Sequence, residues 1–302
     1  VSESSRGFLL GAAAYLMWGL FPLYFPLLEP AGATEILAHR VFWSLITMLV
    51  LVVAVRRWTQ LRRMLVDGRK VRILTLAAAL IAVNWGTYIW GVNNGHVIET
   101  SLGYFINPLV TVLMGVVILG ERLRPLQWVA LGIAGAAVVG LTVEYGRPPW
   151  VALVLAFSFG SYGLAKKKAN AGAVESLTFE TLVIAPVAFG YLVLLSVTGT
   201  STFTTEGPLH VVLLLGMGVL TAVPLLCFGG AATRVSMTTL GLLQYVTPTM
   251  QFALGVLVFR EPMPATRWVG FALVWVALVI FTVESLHHRR RSLRLVAETV
   301  AP

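Results

Sequence analysis

The chain has 302 residues, of which 58% are hydrophobic and 12% charged, about half the ~25% charge content of soluble domains, and its mean hydropathy is +0.85. So little charge cannot clothe a soluble core of this size, while a single cysteine, Cys227, and the lack of a glycine period exclude a disulfide scaffold and collagen. A polytopic all-α membrane protein remains, and the net charge of +9 is first a matter of orientation rather than of a nucleic-acid partner.

A bilayer core of ~30 Å requires about 20 apolar residues per helix. Such stretches fall at 7–28, 34–55, 72–92, 99–119, 126–144, 149–166, 176–197, 208–230, 238–259 and 265–285, predicting ten helices. The first is too long for the apolar part of a signal peptide and is read as a span; Tyr15, Trp18, Gly19 and Pro22 share one of its faces. The second carries His39 and Arg40, and the third Asn84, Trp85 and Tyr88, with Asn93 and Asn94 at its end. On the fourth, Tyr104, Asn107, Pro108 and Thr111 recur at i, i+3, i+4 and i+7, one helical face. The fifth bears Gly132, Ala136 and Gly140, a small-residue stripe suited to close helix contact, either within the monomer or across a homodimer. The sixth is short and holds Ser158, Ser161 and Tyr162; the seventh holds Glu180; the eighth holds Cys227, for which no disulfide is expected. The ninth presents Gln244, Tyr245, Thr247, Pro248 and Gln251. Trp58, Trp128, Trp150 and Trp268 fall near span ends, where an interfacial aromatic belt would put them.

With the N-terminus in the cytoplasm, eighteen of the twenty-two Lys and Arg residues fall in inner loops and tails. Three (Arg147, Arg260 and Arg267) fall outside, and Arg40 lies within a span. This bias predicts a plasma (inner) membrane protein with both termini cytoplasmic.

The two halves match without a gap at an offset of 140 residues: Pro108/Pro248, Gly115/Gly255, Glu121/Glu261, Trp128/Trp268 and Glu144/Glu284. Five spans per half is an odd number, so the second copy is expected upside down relative to the first. The expected units are a first five-helix repeat over 1–146, an inverted second one over 147–286, and a basic cytoplasmic tail over 287–302. Inverted repeats are typical of secondary transporters, whose sites lie near the midplane between the repeats. Helix faces bearing Asn and Gln turn away from lipid, because unpaired amides in hydrocarbon are costly. They line a cavity or glue helices together, and the prolines, each freeing a carbonyl one turn back, favour the cavity. The candidate cavity residues are Trp18, Arg40, Asn84, Trp85, Tyr88, Tyr104, Asn107, Tyr162, Gln244, Tyr245 and Gln251.

Arg40 and Glu180 are the sharpest ionisable residues within spans, again 140 apart, and Glu180 is the carboxylate well inside one. The inverted repeat puts them in opposite halves of the bilayer, about 15 Å apart in depth and too far for an ion pair. Each has a functional reading, and Glu180 is the candidate proton carrier; snorkelling to the near interface is the alternative, particularly for Arg40. His39 faces away from Arg40 and is assigned to packing. Neither G-x-x-x-x-G-K-[ST] nor H-E-x-x-H nor G-x-S-x-G occurs, and Asp67 is the sole aspartate. Neither catalytic residues, nor a metal site, nor a cofactor is assigned.

Several segments resemble the RarD branch of the EamA family, in the drug/metabolite transporter superfamily. They are AYLMWGLFPLYF (14–25), EILAHRVFWS (35–44), NWGTYIWGVNN (84–94), SLGYFINPLV (101–110), LGER (119–122), LAFSFGSYGLAKKK (155–168), PLLCFGGAATR (224–234) and QYVTP (244–248). Where the first half has LGER, the second has FREP at 259–262. The resemblance implies ten helices in two inverted repeats and, from family naming, a link to chloramphenicol sensitivity; it transfers no binding residues. The reading is a secondary transporter, not an enzyme, exporting small organic metabolites or drugs by alternating access. A membrane enzyme, a channel and a non-transport scaffold are the alternatives.

Overall fold

The computed structural model describes residues 3–119, 122–232, 234–235 and 243–300, so Glu121 and the 238–242 part of the expected ninth span lie outside the described residues. All regular structure among the described residues is helical: α1 (Glu3–Gly19), α2 (Phe21–Tyr24), α3 (Ala33–Ala54), α4 (Trp58–Leu65), α5 (Gly68–Asn93), α6 (Val97–Leu119), α7 (Pro125–Tyr145), α8 (Trp150–Ala169), α9 (Ala173–Thr198), α10 (Pro208–Ala232), α11 (Val246–Leu257) and α12 (Ala265–Val300). A 3₁₀ turn, Phe25–Leu28, follows α2. Among the described residues, seven helices (α3, α5, α6, α7, α9, α10 and the first part of α12) are long and apolar enough to cross a membrane.

The remaining apolar segments depart from uniform spans. The first, expected as one helix over 7–28, breaks after Gly19 and bends by 41° between Glu3–Gly19 and Phe21–Leu28. Pro22 and Pro26 bring no N–H to the helical ladder, so the segment cannot continue straight. Trp150–Lys166 and Val246–Leu257 are shorter apolar helices. Beyond the expected end at 285, α12 runs on to Val300, so the segment read as a basic tail is helical through that residue. The basic stretch after α3 contains α4, whose Leu61 and Met64 pack with Val52, Leu74 and Phe179 while Trp58 remains exposed.

Helix ends follow ordinary capping chemistry. Asp67 accepts from the Arg69 and Lys70 N–H groups at the start of α5, which holds its carboxyl below the usual value. Pro125 opens α7, where the Gln127 side chain accepts from the Arg124 N–H. Gly146 and Gly199 end α7 and α9 with φ of 65° and 70°, the left-handed conformation that glycine adopts without strain.

The helices pack in a reciprocal pattern. α8 lies against α5 and α6, while α1 lies against α10 and α11; α3 pairs with α9, α6 with α11, and α7 with α12. Close approach is set by small residues at defined points. A Cβ on Gly103 of α6 would stand 2.8 Å from the Ala152 carbonyl oxygen, and one on Gly255 of α11 would stand 2.6 Å from Ile98. The stripe of Gly132, Ala136 and Gly140 faces outward, whereas Ala130, Ala134, Ala137 and Leu141 of the same helix are buried with Phe271 and Val274 of α12. The monomer therefore does not use that stripe for its own packing. Trp58, Trp128, Trp150 and Trp268 are all at least 40% exposed near helix ends.

Candidate functional site

The break in the first apolar segment creates the polar feature around which the interior is organised. In an unbroken helix the residue 22 N–H would bond the Trp18 carbonyl; Pro22 has none. Gln251 of α11 supplies the donor instead: its Nε2 donates to the Trp18 oxygen (3.2 Å) and to the Tyr88 hydroxyl oxygen (2.8 Å). One turn earlier, Thr247 Oγ1 donates to the Tyr15 carbonyl (2.8 Å). Since a carbonyl only accepts, the Gln251 amide nitrogen must face Trp18. Its Oε1 is buried without a hydrogen-bond partner.

Tyr88 connects this joint to α6 and α8. Its ring meets that of Tyr104 edge-on at 5.7 Å, and Tyr104 Oη donates to Asn84 Oδ1 (3.4 Å). Asn84 Nδ2 in turn donates to the Leu155 carbonyl (3.1 Å) and to Ser158 Oγ (3.0 Å). Asn84 and Tyr88, one turn apart on α5, thus hold one face toward α6, α8 and α11.

Arg40 enters the same layer from α3 and is only 4% exposed. Its guanidinium carbon lies 4.2 Å from the centre of the Trp85 ring and 5.5 Å from that of Phe21. Arg40 Nε donates to Thr221 Oγ1 (3.2 Å), and the Thr221 hydroxyl is oriented by its own bond to the Met217 carbonyl (2.9 Å). Phe21 and Thr221 belong to this site but were not among the candidates from sequence. Phe21 adjoins the proline that breaks the helix, and Thr221 is an isolated hydroxyl in the apolar run LLLGMGVLTAVPLL of α10.

Seven of the sequence candidates (Trp18, Arg40, Asn84, Trp85, Tyr88, Tyr104 and Gln251) therefore form one connected layer, to which α1, α3, α5, α6 and α11 contribute. Asn107, three residues along α6 from Tyr104, is buried with Oδ1 unpartnered. Tyr162 stands to one side, reached through Phe159, whose ring is 6.2 Å from Tyr104 and 6.0 Å from Tyr162. Gln244 lies in the turn before α11, and Tyr245 packs against the α6–α7–α12 core. His39 lies apart from the layer, stacked 4.8 Å from Phe203 and accepting at Nδ1 from Trp43 Nε1 (3.2 Å).

Glu180 has a cation of its own. Lys166 Nζ donates to Glu180 Oε1 (2.7 Å) and to Ser176 Oγ, and Tyr162 Oη donates to Glu180 Oε2 (3.0 Å). The expected sixth span ends at Lys166, which counts with the inner-loop lysines; α8 continues to Ala169, and Lys166 reaches Glu180 from within the helix. Arg40 and Glu180 thus have separate partners.

One end of the bundle is fastened by carboxylates acting on helix N-termini. Glu261 accepts from the Val97 and Ile98 N–H groups at the start of α6, and Glu99 accepts from the Val151 N–H at the start of α8 (3.0 Å) and from Arg147 (2.9 Å). Arg267 meets Glu144 through two bonds of 3.1 and 3.2 Å. At the other end of the same helix pair, Arg124 meets Glu284 at 2.7 Å. Burial raises the Glu261 carboxyl above the ordinary carboxylate value despite its two backbone donors, and burial lowers His96. The hydrogen bond to Glu99 raises Arg147. These groups, with Tyr145 and Pro262, surround a cavity of about 230 Å³.

The inner layer offers hydrogen-bond donors and acceptors, aromatic faces and one cation. Among the described residues, no three His, Cys, Asp or Glu side chains are grouped to hold a metal ion.

The EamA-like transporter family model matches this sequence twice, over residues 5–143 and 148–283. Protein RarD of Streptomyces exfoliatus is 55% identical, covering 100% of this chain and 95% of that protein. Protein RarD of Escherichia coli is 43% identical over 96% of this chain and 98% of its own length, and the uncharacterized transporter YojE of Bacillus subtilis is 42% identical with the same coverage. A solved structure described only as the crystal structure of a protein superposes with a TM-score of 0.60 at 17% identity, over 94% of this chain and 98% of the other, a likeness of fold alone.

Proposed function

The chain belongs to the EamA-like transporter family, among its RarD-like members, and from that premise we propose that it exports small organic metabolites or drugs by alternating access about the layer containing Arg40, Tyr88 and Gln251. The single observation that carries this reading is that layer itself: buried polar and aromatic side chains from both halves of the sequence meet inside a multi-pass membrane protein. Such groups are costly in hydrocarbon and are kept where they line a pathway or a site.

Two inverted five-helix units, 1–146 and 147–286, are the mechanical part of the proposal. The reciprocal packing supports it. At an offset of 140 residues α1 corresponds to α8, α3 to α9, α5 to α10, α6 to α11 and α7 to α12. The contacts of α8 with α5 and α6 then become those of α1 with α10 and α11. The α3–α9, α6–α11 and α7–α12 pairs map onto themselves, as a two-fold axis would require. The double family match divides the chain at the same place, with ends 140 residues apart. Rocking of one unit against the other would open the layer first to one side and then to the other. The distribution of Lys and Arg supports an inner-membrane location with cytoplasmic termini, and the outward direction rests on the analogy with relatives.

Proton coupling is assigned to Glu180, whose carboxylate accepts from Lys166 and Tyr162 inside the bundle. The test of the whole reading is flux of labelled metabolites into inverted membrane vesicles, with and without a proton gradient. Saturable accumulation is expected, and its absence for every solute would leave the membrane-enzyme and scaffold alternatives. Proton-driven flux that persisted unchanged in Glu180→Gln would remove Glu180 from the coupling role.

A further inference from the structure

Arg40 differs from the arginines at the helix ends. Arg57, Arg124, Arg147, Arg234 and Arg267 each face a carboxylate, and Glu180, deep in α9, is answered by Lys166. Among the described residues no carboxylate lies within 4.0 Å of the Arg40 guanidinium. Its Nε is occupied by Thr221, while Nη1 and Nη2 have no hydrogen-bond partner among the described residues. A buried cation without a counter-charge is disfavoured, and stacking on Trp85 answers the charge only in part. A guanidinium resting on a ring keeps its in-plane N–H groups, the fork that matches a carboxylate.

The neighbouring groups have spare valences as well. The Tyr88 hydroxyl accepts from Gln251 and keeps its own proton for a further acceptor. Gln251 Oε1, on the far side of the same amide, is a buried acceptor without a donor. Around them stand the rings of Phe21, Trp85 and Tyr104.

Building on the transporter reading, we infer that the substrate is a small organic anion. Its carboxylate would be held by the free guanidinium nitrogens of Arg40, and its flat apolar body would lie among Phe21, Trp85 and Tyr104. A donor on the ligand, such as a hydroxyl or amine, would be taken up by Gln251 Oε1. The ligand thus supplies the counter-charge that the protein omits, and binding answers the buried cation.

The test uses the full-length chain in detergent, with thermal unfolding followed during titration with sodium benzoate, benzamide or sodium chloride. Benzoate should raise the melting temperature by about 5 °C at a hundredfold excess over its Kd. Benzamide and chloride should not, and the rise should vanish in Arg40→Gln and shrink in Arg40→Lys. Equal shifts from the neutral amide or from chloride, a shift that survives Arg40→Gln, or no shift from benzoate would each overturn the inference. Should Arg40→Gln fail to fold, the contrast between benzoate and benzamide on the unmodified chain decides alone. A lipid phosphate in place of a free anion would appear as stabilisation by phosphatidylglycerol in phosphatidylcholine nanodiscs without added acid, and would also overturn it. Proteoliposome flux separates the two readings. Saturable flux confined to neutral or cationic solutes removes the anion inference and leaves the transporter; benzoate binding without saturable flux of any solute does the reverse.

Discussion

The joint between Gln251 and the broken first segment predicts a specific coupling between two distant residues. Replacing Gln251 with Leu removes two hydrogen bonds, to the Trp18 carbonyl and the Tyr88 hydroxyl, each contributing about 1 kcal/mol net. It also leaves the Trp18 carbonyl, already freed by Pro22, without a donor, at about 1–3 kcal/mol; removal of the unpartnered Oε1 returns a similar amount. The expected net destabilisation is about 2 kcal/mol. With Pro22→Ala in the background, residue 22 regains an N–H in register with Trp18, so the carbonyl is no longer orphaned. Gln251→Leu should then cost about 1–2 kcal/mol less than it does alone, a non-additivity measurable as a double-mutant cycle. The assay is reversible unfolding of the four purified proteins in mixed micelles. Additivity within about 0.5 kcal/mol would refute the idea that Pro22 sets the task that Gln251 performs.

Three further outcomes follow from the same packing. Lys166→Met strands the buried Glu180 carboxylate and should destabilise by about 3 kcal/mol, most of it restored by adding Glu180→Gln, as unfolding titrations of the single and double variants would show. Gly103→Ala places a methyl 2.8 Å from the Ala152 carbonyl oxygen and should cost about 1–3 kcal/mol. Gly132→Ala meets open space and should be neutral or stabilising by up to about 1 kcal/mol, the contrast being read as opposite shifts in melting temperature. Glu261 binds a proton more readily in the folded than in the unfolded chain. Its contribution to stability should therefore fall as pH rises from the usual carboxylate value through its raised one. Melting curves across that window should lose this slope in Glu261→Gln, while His96, which faces the same cavity and is lowered by burial, contributes to the remaining profile.

The all-helical class and the burial of several polar side chains were legible in the sequence because hydrocarbon allows few solutions: long apolar runs become helices, and their Asn, Gln and Arg side chains turn inward. Asn84 and Gln251 followed from that argument, Tyr88 and Tyr104 from sharing a helical face with polar neighbours, and Arg40, for which snorkelling was the alternative, is buried. Phe21 and Thr221 were not, because an apolar ring and a lone hydroxyl in a span look like packing until Arg40 is seen between them. The Lys166–Glu180 pair was missed because Lys166, at the end of the expected sixth span, counts with the inner-loop lysines, whereas α8 continues to Ala169 and Lys166 turns to Glu180. The break after Gly19 was latent in the two prolines, but where the freed Trp18 carbonyl finds its donor depends on the packing of α11, more than 200 residues away. Tyr245 was grouped with the layer because it sits deeper in its span than the interfacial tryptophans; its place against the α6–α7–α12 core follows from tertiary packing that the local pattern does not encode.

Alternating access about this layer is tested most directly by the two-sided accessibility of Asn107, which lies ten residues, roughly 15 Å, into α6 and has an unpartnered oxygen. A cysteine placed there in a Cys227→Ser background should react with a membrane-impermeant thiol reagent from either face of oriented vesicles, with substrate shifting the balance between the two. Reaction from one face only under every condition, or from neither, would contradict the account.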